Sequence, residues 1–149
     1  MATNLGRLTK EYYSAWNSHD AEKIASFYTA DCVHEDVAIG AVFRGKNELK
    51  TGISPLFAAF PDFKLELKSI LSATNRLAHE WVMSGTQAGA LSGPGALSGL
   101  GIPNTGKSFS IRGASITELR DGKISRNTDY WNLTTMLQQL GAMPGSHSQ

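Results

Sequence analysis

Asp129 carries the first chemical signal. Asn127 and Trp131 alternate with it along the segment Ile124 to Trp131, so a strand there places an amide, a carboxylate and an indole on one face. A carboxyl in the wall of an apolar cavity has its ionised form disfavoured by desolvation. Its pKa then moves toward the range useful for taking a proton from carbon or giving one to oxygen, which makes Asp129 a candidate acid/base. The same face also fits a polar strand end or an internal hydrogen-bonded pair. A second cluster, His34-Glu35-Asp36, sets His34 and Asp36 on one face of a strand and Glu35 on the other. A solvated edge strand guarded by charge accounts for that cluster equally.

Other chemistries find less support. His19, His34, His79 and His147 have no metal-ligand spacing and Cys32 is the single cysteine, so neither a metal site nor an internal disulfide is expected. No Gly-x-Ser-x-Gly elbow occurs. Gly101-Ile-Pro-Asn-Thr-Gly-Lys-Ser108 matches the phosphate-loop pattern letter for letter. Such a loop works by joining a buried strand to a helix whose N-terminal amides face the phosphates. Here a Gly-rich stretch precedes the motif and Phe109 to Thr117 alternates like a strand, so nucleotide binding is not expected.

The elements that must hold these residues are legible in outline. Leu5, Leu8, Tyr12, Ala15 and Trp16 recur near helical spacing, and Asn17-Ser-His-Asp20 breaks that helix. Asp20 suits the N-cap of a short helix carrying Ile24, Phe27 and Tyr28, and Cys32 to Val37 reads as a strand. After a loop or short strand through Val42-Phe43, a third helix spans Gly45 to Phe60, which Pro55 should kink or divide. Strands then follow at Phe63 to Lys68, Leu77 to Gln87 and Lys107 to Leu119. Arg120-Asp-Gly-Lys123 makes a tight turn into the last strand, and Asn132 caps a helix over Leu133 to Leu140. Helices first and a long antiparallel meander after them predict an α+β domain, with helices on one side of a curved sheet shaped as a cone with a mouth. The interval from about 88 to 106 is rich in Gly, Ala, Ser and Leu. It reads as a flexible connection or, because Leu91, Leu97 and Leu100 are unusual in a solvated linker, as a lid.

Composition narrows the classes. The 149 residues, 41% of them apolar, fit a single domain over 1–149 with a short flexible tail from about 142. A formal charge of +1 with scattered basic residues gives no footprint for nucleic acid or an anionic membrane surface. The N-terminus lacks the apolar run of a secretory signal, so a reducing cytoplasm is the expected setting.

Taken together, several blocks resemble the SnoaL-like polyketide cyclase family of the nuclear-transport-factor-two-like superfamily. They are Tyr12-Tyr-Ser-Ala-Trp-Asn-Ser-His-Asp20, Ile24-Ala-Ser-Phe-Tyr-Thr-Ala-Asp31, Gly85-Thr-Gln-Ala-Gly89, Pro103-Asn-Thr-Gly-Lys107, and Asp121-Gly-Lys-Ile124 through Asp129 to Leu137-Gln-Gln-Leu-Gly141. The resemblance implies a cone enclosing an apolar pocket, often dimeric, that closes a ring by intramolecular aldol chemistry on an apolar polyketide without metal or cofactor. It places the family's acid/base at Asp129. The histidine of the family's Gly-Thr-His block falls on Gln87, which can hydrogen-bond a substrate oxygen but cannot carry the proton. On this reading Asn127 is a further donor, and His34, Trp81 and Trp131 shape the substrate pocket. The superfamily also implies isomerase and epoxide-hydrolase alternatives, the latter needing an acid-Arg-acid set to which Arg112 could contribute. A non-catalytic small-molecule-binding or dimerisation module is the remaining alternative, favoured if Asp129 faces solvent or side chains fill the cavity.

Overall fold

The computed structural model describes residues 4–143, so most of the expected C-terminal tail, with His147, lies outside the described residues. Helix α1 (Asn4–Asn17) turns Tyr12, Tyr13, Ala15 and Trp16 into the core, while Leu5 and Leu8 rest against its margin. Asp20 caps α2 (Ala21–Ala25) by accepting from the Lys23 amide at 3.1 Å. This helix is shorter than the expected one. Tyr28 opens strand β1 (Tyr28–Asp36) instead, because the Ile124 amide draws the Phe27 carbonyl into the sheet at 2.8 Å.

Strand β2 (Ala41–Arg44) leads into α3 (Gly45–Ala59), which continues through Pro55 undivided. The carbonyl that loses its helical partner there belongs to the exposed Thr51, where water can satisfy it. Strands β3 (Lys64–Ala73), β4 (Arg76–Thr86), β5 (Ser108–Arg120) and β6 (Lys123–Trp131) form the meander. Asp121 and Gly122, with φ of 53° and 76°, make the β5–β6 turn. Helix α4 (Leu133–Gln139) starts at the Asn132 cap, which accepts from the Thr135 amide at 3.0 Å.

The six strands lie in the order β2-β1-β6-β5-β4-β3, an open curved sheet with α1 and α3 packed on it. The expectation of an antiparallel sheet needs correction, because β1 pairs with β6 in parallel and the sheet is mixed. An antiparallel meander fixes the directions of β3 to β6 relative to one another. The direction of β1 depends on where α3 delivers the chain, which alternation does not encode. Register shifts in β1–β6, β3–β4 and β5–β6 bend the strands locally and help curl the sheet.

Residues 88–106 are not a slack connection. Leu91 and Ile102 form an antiparallel bridge with 2.8 and 3.2 Å backbone hydrogen bonds, and the 3-10 turn Gly95–Leu97 docks on Ile39, whose carbonyl accepts from Ala96 at 2.6 Å. Leu91 and Leu97 are buried, whereas Leu100 is exposed.

Candidate active site

The inner face of the sheet, α1, α3 and the 88–106 loop enclose a cavity of about 110 Å3, walled mainly by apolar side chains. Asp129 lines it with 18% of its side chain accessible. Strand register brings the other functional groups to this carboxylate. Ser115 of β5 stands opposite Asp129 of β6, and on the other side His34 and Asp36 of β1 stand opposite Asn127 and Asp129.

Three donors converge on Asp129. Its Oδ1 accepts from Ser115 Oγ at 2.6 Å and from Asn127 Nδ2 at 2.7 Å, and its Oδ2 meets His34 Nε2 at 3.1 Å. Trp81 Nε1 donates to Ser115 Oγ at 2.9 Å, fixing the hydroxyl so that its proton points to the acid. Burial pushes the Asp129 carboxyl up, but the attraction of the His34 ring and the bonds from His34, Ser115 and Asn127 outweigh it and hold the group below the ordinary carboxylate range. An ionised carboxylate offers about four lone-pair positions. Three donors therefore leave one on Oδ2 for a reacting proton.

Proton positions along the supporting network follow from the acceptor-only character of the carboxylate. Asn127 must turn its NH2 to Asp129 and its oxygen to Thr117, which donates to it at 2.6 Å. The Thr117 oxygen then accepts from His79 Nε2 at 2.8 Å, leaving His79 Nδ1 to accept from the Tyr13 hydroxyl at 2.6 Å. Burial lowers the pKa of His79 and so favours the neutral ring that this arrangement requires. A parallel chain backs His34, whose Nδ1 lies 2.8 Å from the Tyr28 hydroxyl, itself 2.6 Å from that of Tyr12.

Asp36 is a second acid on the same cavity. It accepts from Trp131 Nε1 at 3.0 Å and from the Ile39 amide at 3.3 Å, a poorer shell than that of Asp129. Burial first, and then the charge of Asp129, push the Asp36 carboxyl up to about 6. Of two neighbouring acids, the one whose anion has fewer donors holds its proton to higher pH, so Asp36 protonates before Asp129 as pH falls.

Asp129, Asn127, His34, Trp81 and Trp131 thus all border the cavity. Two expected site residues do not. Gln87 lies just beyond β4, and its side chain is spent on the loop: Nε2 donates to the carbonyls of Gly89 and Pro103, while Oε1 accepts from the amide and hydroxyl of Thr105. Its role as a substrate donor is corrected to that of a clamp at the root of the loop. Arg112 sits on the exposed side of β5, opposite in alternation to Ile111 and Ser115, and no arginine lines the cavity among the described residues. The phosphate-loop look-alike runs as loop directly into β5, with no helix behind it. Sequence reading missed Ser115, Tyr13, Tyr28 and His79. Ser115 and Thr117 share the alternation of Ile111, a signal that two inward hydroxyls already offered.

Among the described residues no group of three side chains is arranged to hold a metal ion, and no helix is long and apolar enough to cross a membrane. A comparison with curated proteins finds no match. Solved structures match over most of the chain. AclR of Streptomyces galilaeus, provisionally assigned as a hydroxylase, superposes with a TM-score of 0.80 at 25% identity, covering 99% of this chain and 87% of that one. A protein from Jannaschia sp. CCS1, provisionally described as a SnoaL-like polyketide cyclase, gives 0.78 at 15% identity with 95% and 93% coverage. A protein of ketosteroid isomerase-like fold from Catenulispora acidiphila, solved with trimethylamine, gives 0.75 at 20% identity with 95% and 97% coverage. The family model for SnoaL-like polyketide cyclases matches residues 6–140, and with the same fold and a carboxylate-bearing apolar cavity in place, the chain belongs to the SnoaL-like polyketide cyclase family.

Proposed function

We propose that this protein is a cofactor-free enzyme that closes a ring by intramolecular aldol addition on an apolar, carbonyl-bearing polyketide-type substrate. The observation that carries the reading is a pair of carboxyl groups in unequal surroundings on one apolar cavity, Asp129 held down by three donors and Asp36 pushed up to about 6, so that below about pH 6 one is a base while the other holds a proton. Such a split is how one site supplies both a base and an acid. Asp129 Oδ2 removes a proton from the carbon beside a substrate carbonyl. The resulting enolate carbon attacks a second carbonyl carbon, forming the C–C bond, and the new alkoxide takes the Asp36 proton. Asp129 then releases its proton and Asp36 regains one, restoring the pair. Isomerisation begins with the same proton removal, whereas the acid-Arg-acid set of epoxide hydrolysis lacks its arginine at this cavity. A homodimer, on the family likeness, and a cytoplasmic setting, on the single buried thiol of Cys32, belong to the same proposal.

The first step is testable without the natural substrate, by proton NMR of α-deuteration of 2-butanone in D2O, a ketone small enough for the inner cavity. The wild-type protein should accelerate exchange over buffer. Asp129→Asn should lose at least about 100-fold of that acceleration, the usual weight of a positioned acid or base, with its fold and 2-butanone binding retained. Exchange that persists in the variant, or is absent in the wild type, overturns the assignment and favours a binding module.

A further inference from the structure

The reaction cavity is too small for the substrate class it is built for. Its volume of about 110 Å3 falls below the roughly 150 Å3 of an apolar cavity that accepts a single benzene. Beside it lies an outer groove of about 520 Å3, open to solvent and almost wholly apolar at its surface. The two adjoin, since Phe43, Gly52, Pro55, Gly93 and Pro94 border both.

Phe43 is the partition between them. Its ring stacks on His34 with centroids 6.0 Å apart and planes at 16°, and its other flank lies against Gly52 of α3. A Cβ at position 52 would fall 2.2 Å from the Phe43 ring. Glycine within a helix costs about 1 kcal/mol relative to alanine, and here it is what lets the ring approach the helix backbone. One aromatic side chain therefore touches the histidine bound to the base and also walls the outer groove.

We propose that the outer groove is a second substrate subsite, which receives the unreactive, uncharged apolar portion of the molecule whose carbonyl end reacts at Asp129, with Phe43 setting where the substrate passes between the two. This rests on reading the inner cavity as the reaction site. The substrate is accordingly elongated, with its reacting carbonyls at one end and at least several apolar carbons beyond the Phe43 ring.

Binding of 2-alkanones from 2-butanone to 2-dodecanone, followed by tryptophan fluorescence and calorimetry, tests this without turnover. Affinity should grow by up to about fourfold per added methylene as the tail enters the groove. Thr51 and Asn47 are exposed, border the groove and do not border the inner cavity, so Thr51→Trp and, independently, Asn47→Trp should fill it. Each should weaken 2-dodecanone binding at least tenfold and leave 2-butanone unchanged, with circular dichroism and melting temperature reporting an intact fold. Affinity that does not rise with chain length, or long-chain binding unaffected by both substitutions, overturns the subsite. A failed α-deuteration test leaves these binding results standing, and a failed chain-length test leaves the Asp129 assignment standing.

Discussion

Asp129 and Asp36 are chemically the same group, and their environments make them different. Each stands beside the other on adjacent strands, so only one can ionise cheaply. Three side-chain donors select Asp129, against one indole and a longer backbone contact at Asp36. Ser115 matters twice, as donor to Asp129 and as acceptor for the buried Trp81 indole. Ser115→Ala should therefore destabilise the fold by about 1–3 kcal/mol, because it strands that indole N–H. It should also raise the Asp129 pKa, since removing a donor to the anion favours the neutral acid, and shift the acid limb of the α-deuteration profile upward. Urea unfolding and the pH–rate profile check the two effects separately. An unchanged acid limb would mean that His34 and Asn127 alone set the charge state.

At the scale of elements, the 88–106 loop behaves as a docked lid rather than a linker. Leu91, Gly93, Pro94 and Leu97 close one side of the cavity, Gln87 ties the loop's root, and the tip rests on Ile39. Gly95 makes that last contact possible. Its φ of 63° lies in the left-handed region, and a Cβ there would fall 2.0 Å from the Ile39 carbonyl oxygen, which is backbone and cannot swing aside. Gly95→Ala should undock the tip. Hydrogen exchange should then accelerate at Leu91, Ala96 and Ile102 while β4 and β5 keep their protection, and the cavity should lose affinity for 2-butanone. Uniform loss of protection would instead mean that the loop unfolds with the whole sheet.

For the whole molecule, the buried acids make stability depend on pH with opposite signs. Asp36 has a raised folded pKa, so its contribution is fully present below the ordinary carboxylate value and is lost as pH rises through about 6. Asp129 has a lowered one, so its contribution is present above the ordinary value of 3.8 and is lost as pH falls through its folded pKa below that. Asp36→Asn removes the first loss while keeping an acceptor for Trp131. The variant should gain thermal stability over the wild type at about pH 7.5 and much less at about pH 4.5, within the window set by the Asp36 shift. Melting curves at the two pH values decide it; an equal gain at both would mean that Asp36 does not titrate in the folded protein. At the same scale, the sheet stays open and its helices leave unfilled space in the middle, so the charged centre borders a cavity and not a packed core.

The sequence alone determined what depends on neighbours along the chain. Asp20 and Asn132 capped the helices they were expected to cap, and Asp121-Gly122 turned as its backbone preferences required. Strand alternation put Asn127, Asp129 and Trp131 on one face of their strand, and His34 with Asp36 on one face of theirs. Alternation says which way a residue points, but not which strand lies beside it. Only the tertiary structure set β1 parallel to β6 in the register that places Asp36 against Asp129, and only the β5–β6 pairing brought Ser115 opposite the acid. The same limit explains Gln87, whose position at the end of β4 was legible but whose side chain found its partners in a loop that folds back from sixteen to eighteen residues away. An acid at Asp129 was written in the sequence. Its charge was decided by donors that the fold alone brings within reach.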